Sequence, residues 1–231
     1  MLMRYRWLLL DADGTLFDYD QAEASALEKI LEEIGVRFEP RYTRLYRQIN
    51  GRMWRVFEQG KVSHAWLKIR RFELLFEAIG VESDPETISV RYLQSLAEGS
   101  QLIEGAEEAV RRLSERVGLI LITNGLQMVQ RSRLAKSPIV GYFTDILISE
   151  EVGAAKPDGR IFDIAFGMMN NPSKAEVLMV GDSLTSDIKG GEDYGIDTCW
   201  FNPMRKPCDQ DVRITYEIHH LNELLTIVAT A

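Results

Sequence analysis

Near its N-terminus the chain reads Trp7-Leu8-Leu9-Leu10-Asp11-Ala12-Asp13-Gly14-Thr15. A short apolar run that ends in an acid is typical of a buried parallel strand, because helices cover both faces of such a strand. Residues 119–122 and 177–180 are apolar runs of the same kind, and they lead into Thr123-Asn124-Gly125 and Gly181-Asp182-Ser183. Polar residues are therefore predicted at the carboxyl ends of three strands.

Helical patterns lie between these runs. Apolar residues recur at helical spacing in residues 104–116 and 160–169, and two further strands are predicted at residues 145–148 and 197–201. Strands that alternate with helices along a chain favour a parallel sheet. The predicted fold class is α/β, with a doubly wound, mostly parallel, Rossmann-like sheet.

The pattern changes between residues 17 and 99, where we find amphipathic helical stretches and no convincing strand. The candidate helices are residues 22–34, 41–49, 65–79 and 85–96, with glycines between them. We therefore expect residues 17–99 to form an inserted, all-helical domain. Residues 1–16 and 100–231 would then form the α/β core.

The composition argues against several classes of function. The chain has 27 Lys and Arg against 35 Asp and Glu, and a formal net charge of -8 is the wrong sign for a surface that binds a nucleic-acid polymer or an anionic membrane. The apolar run before Asp11 is too short for a signal peptide or a membrane span. Two cysteines are too few for a disulfide scaffold. We expect a cytoplasmic protein that is a monomer or a homodimer.

Four acids are predicted to gather at one edge of the sheet. Ligands of open α/β sheets bind beyond the carboxyl ends of the strands, which is where Asp11, Asp13 and Asp182 fall, with Asp187 close behind. A turn or a helix cap accounts for any one of these acids but not for all four together. Because grouped carboxylates repel one another, we expect a cation among them. Oxygen ligands favour Mg²⁺, and no Cys or His spacing indicates zinc.

Two further groups are candidate phosphate ligands. Thr123-Asn124-Gly125 offers a hydroxyl, a side-chain amide and backbone N–H groups at a strand tip, which suits the binding of phosphate oxygens. Lys156 is the second candidate, because Pro157 is expected to open the next helix and to leave the lysine in the loop before it. Taken alone, the first group is a turn and the second is a solvated surface lysine.

Together these motifs occur in a fixed order: Asp-x-Asp-Gly-Thr at residues 11–15, Thr-Asn-Gly at 123–125, Lys-Pro at 156–157 and Gly-Asp-Ser-x-x-x-Asp at 181–187. The series resembles the haloacid dehalogenase superfamily over nearly the whole chain. The resemblance implies a phosphatase in which Asp11 attacks phosphorus and forms an aspartyl-phosphate, while Asp13 is the general acid and base. Dehalogenases of this superfamily lack an acid at the second position, so Asp13 favours phosphoryl transfer.

The same resemblance implies roles for the remaining residues. Thr123, the Asn124 backbone and Lys156 would neutralise the transferring phosphoryl group. Asp187 would act on the metal through water, or would orient Lys156. The implied ligands of Mg²⁺ are Asp182, the Asp11 carboxylate and the Asp13 carbonyl.

The inserted domain resembles the cap of the YjjG-type pyrimidine 5′-nucleotidases in residues 54–63 and 70–73, and the core resembles the same subfamily in residues 148–153 and 197–202. This resemblance implies a nucleoside 5′-monophosphate as the small-molecule substrate. One alternative is a phosphatase or phosphomutase for a sugar phosphate or another small metabolite such as phosphoglycolate. A catalytically silent phosphate-binding protein is the other.

Side chains of the helical domain have two interpretations. Trp54 offers a face on which a nucleobase can stack, although packing within the domain explains it equally well. Four arginines fit either a solvated helix face or contacts to an anionic substrate: Arg52, Arg55, Arg70 and Arg71. The residues expected in the core of the domain are Met53, Trp66 and Phe72.

Overall fold

In the computed structural model, which describes residues 4–229, a parallel sheet of six strands organises the α/β part of the chain. In chain order the strands are β1 (Trp7–Leu10), β2 (Gly118–Thr123), β3 (Asp145–Ile148), β4 (Val177–Gly181), β5 (Asp197–Phe201) and β6 (Tyr216–Ile218). Their order in the sheet is β3-β2-β1-β4-β5-β6, and every neighbouring pair is parallel. The predicted α/β class and doubly wound sheet are confirmed.

Helices occupy most of the remaining chain. Their bounds are α1 (Tyr19–Glu33), α2 (Pro40–Glu58), α3 (His64–Ile79), α4 (Pro85–Leu96), α5 (Ala106–Ser114), α6 (Gln127–Lys136), α7 (Ser149–Val152), α8 (Gly159–Met168), α9 (Lys189–Tyr194) and α10 (Leu224–Ala229). The bounds of α4, β1, β3 and β5 agree with the sequence-based prediction to the residue. Within residues 4–229, no helix combines the length and the apolar character that crossing a membrane requires.

Two elements differ from the prediction. The sequence predicts that α2 ends at residue 49, but the helix continues through Gly51 to Glu58. A glycine inside a helix costs about 1 kcal/mol, and the burial of Met53 one turn after Ile49 offsets this cost. The edge strand β6 was not predicted, because three residues with an exposed Glu217 at the centre give too short a pattern.

The strands bury apolar side chains on both faces of the sheet. Leu8 and Leu10 belong to a cluster with residues of α5 and α10, whereas Leu9 packs with residues of α8 on the opposite face. Successive side chains of a strand point to opposite faces, so a continuous apolar run requires helices on both sides. Each buried side chain of this size contributes about 1.5–3 kcal/mol of hydrophobic free energy. The polar residues at the strand tips therefore rest on a well-packed core.

The chain divides into two compact units. The first unit contains the sheet and comprises the chain up to Asp18, Ser100–Gln127 and the chain from Leu134 onwards. The second unit contains α1 to α4 and comprises Tyr19–Gly99 together with Met128–Arg133, a segment of α6 that the sequence assigned to the core. This segment groups with the second unit because it is hydrogen-bonded to the end of α4. The side chains of Ser132 and Arg133 donate to the carbonyl groups of Ala97 and Leu96.

Candidate active site

Asp11 lies at the carboxyl end of β1, between the tips of β2 and β4. Its backbone N–H donates to the Val180 carbonyl of β4 at 2.9 Å, so the strand pairing continues for one residue beyond β1. The residue is 7% exposed. After β1 the chain adds β2 and β3 on one side and β4 on the other, and this switch point is where open α/β sheets bind ligands.

Lys156 is the partner of Asp11. Its side chain is 1% exposed, and its ammonium nitrogen contacts three oxygens: Asp11 Oδ1 at 2.6 Å, Asp187 Oδ1 at 2.7 Å and the Ile122 carbonyl at 2.7 Å. Asp11 Oδ1 and the Ile122 carbonyl accept hydrogen bonds from the ammonium, whereas Asp187 Oδ1 forms an ion pair with it but accepts no hydrogen bond from it. Burial alone would lower the pKa of Lys156, but the Asp11 and Asp187 carboxylates outweigh it and raise that pKa above its ordinary value. Lys156 is a buried, charged group and not a solvated surface lysine.

The side-chain amide of Asn124 holds the backbone of Lys156. Asn124 Nδ2 donates to the Lys156 carbonyl and Asn124 Oδ1 accepts from the Lys156 N–H, both at 2.8 Å. The sequence suggested that this amide holds phosphate oxygens, but Lys156 uses both of its polar atoms. The helix after Lys156 also begins later than expected, at Gly159, because Asp158 is its N-cap and accepts from the Arg160 N–H at 2.9 Å.

Thr123 and Gly125 form the rest of this strand tip. Thr123 is buried, and its Oγ1 accepts a hydrogen bond from the Gly125 N–H at 3.0 Å. The Gly125 N–H, which the sequence offered as a phosphate donor, is therefore engaged within the turn. Because the Thr123 hydroxyl accepts in this bond, its own O–H can still donate.

Asp187 is fully buried in a π-helical turn, Leu184–Ile188, that follows β4. One of its oxygens pairs with Lys156, and the other accepts from the Ser183 N–H at 3.0 Å. Gly181 makes room for this carboxylate, because a side chain at position 181 would collide with it. The absence of a Cβ at the end of β4 thus allows a second buried carboxylate to reach Lys156.

Asp182 follows β4 and exposes its carboxylate. The Thr15 hydroxyl lies 3.4 Å from Asp11 Oδ2 and 3.5 Å from Asp182 Oδ1, at the long limit of hydrogen bonding. Gly14 has a φ of +85°, and a Cβ there would lie 2.6 Å from Asp182 Oδ2. The Trp200 indole N–H donates to the Asp182 carbonyl at 2.9 Å. Thr15 and Trp200 were not assigned to the site from sequence, although both lie within quoted motifs.

The carboxylates of Asp11, Asp182 and Asp187 each offer an oxygen within 4.8 Å of the other two. Burial raises the pKa of Asp11 well above its usual range; Lys156 opposes this change, and the two neighbouring carboxylates add to it. Desolvation by the surrounding protein and then the Asp187 carboxylate raise the pKa of Asp182 to about 7, even though its side chain reaches solvent. A divalent cation among these oxygens would favour the charged forms. The all-oxygen donor set fits Mg²⁺.

Asp13 has different surroundings from Asp11, although the two acids share one motif. Its side chain is half-buried rather than enclosed. A tight turn follows, in which the N–H groups of Leu16 and Phe17 both donate to the Ala12 carbonyl at 2.9 Å. The motif therefore supplies one enclosed carboxylate and one that is open to solvent.

Trp54 lies in the second unit and is half-buried. Its ring meets Phe57 edge to face with the ring centroids 5.5 Å apart, and the Phe57 ring lies 4.2 Å from that of His64. Trp54 is therefore held by an aromatic neighbour and still presents part of its surface. Trp66 is 42% exposed, so the expectation that it lies in the core of the helical unit is wrong.

Arg71 is 1% exposed, so the interpretation of this arginine as part of a solvated face is wrong. Its guanidinium carbon lies 5.4 Å from the ring centroid of Phe72 and 5.0 Å from that of Tyr92, and its Nη1 donates to Asn50 Oδ1 at 3.3 Å. Aromatic faces replace water around the charge. Helical periodicity could not reveal this environment, because it gives no information on which neighbouring helix supplies the rings.

A family model of haloacid dehalogenase-like hydrolases matches residues 5–195. The chain belongs to this family. The hydrolase is similar to the pyrimidine 5′-nucleotidase PynA of Streptococcus pneumoniae (38% identity, covering 96% of this chain and 94% of the relative) and to the pyrimidine 5′-nucleotidase YjjG of Escherichia coli (32%, covering 96% and 97%). It is also similar to the magnesium-bound crystal structure of the putative HAD-hydrolase YfnB from Bacillus subtilis, with a TM-score of 0.92, 39% identity and coverage of 97% of this chain and 99% of the other.

We expect Mg²⁺ to raise the midpoint of thermal unfolding of this hydrolase, because a ligand that binds only the folded state stabilises it by about 2.7 kcal/mol at 100 times its Kd. Thermal unfolding with and without Mg²⁺ measures the shift. Asp182→Asn should lose most of it. Asp145→Asn, which changes an exposed carboxylate at the start of β3, should retain it. Equal shifts in the two variants would contradict a metal site at Asp182.

Proposed function

We propose that this hydrolase is a Mg²⁺-dependent phosphatase that acts on nucleoside 5′-monophosphates through an aspartyl-phosphate on Asp11. The observation that carries the proposal is the enclosed Asp11 carboxylate, which Lys156 holds at 2.6 Å beside the Asp182 and Asp187 carboxylates. A fixed carboxylate is a suitable nucleophile, and phosphoryl transfer depends mainly on positioning and charge. The two relatives that are named pyrimidine 5′-nucleotidases support the choice of substrate.

In the first step, a carboxylate oxygen of Asp11 forms a bond to phosphorus while the bond from phosphorus to the ester oxygen breaks. Asp13 gives its proton to the departing oxygen. In the second step, Asp13 takes a proton from the water that attacks the aspartyl-phosphate, and the bond between phosphorus and Asp11 breaks to release phosphate. The solvent-accessible position of Asp13 supports this role, because the same residue must exchange protons in both steps.

Lys156 contributes to this reaction through its positive charge and through the hydrogen bond that orients the Asp11 carboxylate. Its ammonium donates hydrogen bonds to Asp11 Oδ1 and to the Ile122 carbonyl and pairs with the charge of Asp187, so we assign to it the neutralisation of the phosphoryl group by its positive charge. The Thr123 hydroxyl and the Asn124 backbone N–H are the groups that we assign to the phosphoryl oxygens.

Asp11, Asp182 and the Asp13 carbonyl would hold Mg²⁺, which would supply positive charge to the phosphoryl oxygens. Asp187 already pairs with Lys156 at 2.7 Å. We therefore assign to Asp187 the orientation of Lys156, with any effect on the metal exerted through water.

The substrate assignment includes Trp54 as the side chain on which the nucleobase stacks. A partly exposed indole held at its edge by Phe57 is a rigid apolar surface, and stacking on such a surface does not require hydrogen bonds to a particular base.

Asp11→Asn should lower the turnover number for phosphate esters by about 10³-fold or more, because an amide is not a nucleophile for phosphorus. The measurement is phosphate release at saturating substrate and Mg²⁺. Asp145→Asn, at the opposite end of the sheet, should keep the wild-type rate. A variant at position 11 that keeps more than a tenth of the activity would refute the covalent role, and a wild type inert towards every ester would support a silent protein.

The substrate class is tested by the ratio of kcat to KM for a panel of esters. UMP, dUMP and dTMP should exceed sugar phosphates and phosphoglycolate by about tenfold or more, because a nucleobase gains stacking energy that these smaller groups lack. Preference for the small metabolites would refute the nucleotidase assignment but leave the phosphatase. Conversion of a sugar phosphate into its isomer would instead indicate a mutase.

Trp54→Ala should raise KM for UMP by about fivefold to a hundredfold, the equivalent of one lost base-stacking contact of about 1–3 kcal/mol. KM for p-nitrophenyl phosphate should change much less. Trp66→Ala is the matched control, because it removes an exposed indole from the same helical unit. Equal effects of the two variants on UMP would exclude a specific stacking role for Trp54.

A further inference from the structure

A second lysine is held in the same manner as Lys156. Asn202 follows the last residue of β5, as Asn124 follows the last residue of β2. Its Nδ2 donates to the Lys206 carbonyl and its Oδ1 accepts from the Lys206 N–H, both at 2.9 Å. Two strand tips of one sheet thus use an asparagine amide to fix the backbone of a lysine.

The loop that carries Lys206 is exposed, and hydrogen bonds hold its backbone. The Arg205 N–H donates to the Asn202 carbonyl at 3.1 Å and closes a turn. Arg205 has a φ of +51°, in the left-handed region that non-glycine residues seldom adopt. Asn202 is 2% exposed and also donates to Glu217 Oε1 at 2.7 Å. Residues in sparsely populated backbone conformations often cluster at functional sites, which directs attention to this loop.

This loop lies beside the Asp182 side of the site. β5 pairs with β4, and Trp200 stands opposite Gly181. The Trp200 indole donates to the Asp182 carbonyl two residues before Asn202, so the start of this loop contacts the backbone of the site. Burial and the Asp187 carboxylate raise the pKa of Asp182, and the charge of Lys206 opposes this change. Within residues 4–229 the Lys206 ammonium has no carboxylate at salt-bridge distance, so this exposed cation is not neutralised by a direct partner.

The charge of the site explains why a second cation is useful. Asp13 carries a proton when the first step begins, so the carboxylates of Asp11, Asp182 and Asp187 exceed the single charge of Lys156 by two. A bound Mg²⁺ would balance these two charges and leave no net positive charge to attract an entering phosphate dianion. The ammonium of Lys206 supplies a further positive charge at the rim of the site.

We propose that Lys206 is a second substrate-binding cation that attracts and holds the phosphate group of a phosphate monoester, and that Asn202 is the residue that positions it. The inference rests on the proposed phosphatase function, but it concerns the phosphate and not the leaving group. Lys206 lies outside the buried set of reacting groups, so it acts on binding rather than on the chemical step.

The test measures p-nitrophenyl phosphate hydrolysis and, by calorimetry, the binding of inorganic phosphate to the Mg²⁺-loaded protein. Lys206→Met should raise KM and the phosphate Kd together by about fivefold, with kcat changed less than about twofold, as for the loss of one exposed charge contact. Arg205→Met is the control, because it removes the neighbouring positive charge without removing the lysine that Asn202 holds. It should leave both constants near the wild-type values.

Asn202→Ala should reproduce the KM change of Lys206→Met, and the double variant should show no further change, because the asparagine acts through the lysine. Three results would each overturn the proposal. They are an unchanged phosphate affinity in Lys206→Met, a loss of phosphate affinity in Arg205→Met as large as that in Lys206→Met, and additive KM changes in the double variant. A wild type that prefers sugar phosphates, or hydrolyses no ester, would refute the proposed function, whereas phosphate calorimetry would still decide the role of Lys206.

Discussion

The site depends on one buried cation between two buried carboxylates, Lys156 between Asp11 and Asp187. Removing charges from water is expensive, and a buried ion pair is retained only where its geometry is good and its remaining hydrogen-bonding capacity is satisfied. Asp11 Oδ1 and the Ile122 carbonyl accept hydrogen bonds from the Lys156 ammonium, and Asp187 Oδ1 lies 2.7 Å from it as an ion-pair partner without a hydrogen bond. Removing one member of such a set costs about 3–5 kcal/mol, since it leaves an uncompensated buried charge. The ion pairs therefore fix the relative positions of β1, β2 and the turn after β4.

Two glycines make this arrangement sterically possible. The Asp187 carboxylate fills the space where a side chain at Gly181 would lie, and the Asp182 carboxylate fills the corresponding space beside Gly14. Gly14 also adopts a φ of +85°, which an L-residue with a side chain rarely tolerates. The acids can approach one another because neighbouring positions have no side chain. Burial raises the pKa of Asp11, the two neighbouring carboxylates raise it further, and their grouped charges create the demand for a cation.

The parallel sheet and its polar tips could be predicted because periodicity and apolar runs are local signals. The roles of the asparagines could not, because whether Asn124 holds a phosphate or the Lys156 backbone depends on a contact between residues 32 positions apart. Arg71 illustrates the same limit, since its charge is surrounded by rings from its own helix and from α4. Thr15 was quoted as part of a motif but not assigned, because its hydroxyl reaches Asp182 only once β1 and β4 pair.

The asparagine at each strand tip solves a problem that any site on loops must face. A loop is mobile unless its backbone groups have partners, yet phosphoryl transfer requires charges held in fixed positions. An amide side chain carries N–H donors and a carbonyl acceptor side by side, so it can bond to both the N–H and the carbonyl of a lysine without using its ammonium. Asn124 does this for the buried Lys156, and Asn202 does it for the exposed Lys206. The ammonium of the first lysine is thereby committed to Asp11, while the ammonium of the second has no carboxylate partner within residues 4–229 and suits the anion-binding role that we propose for it.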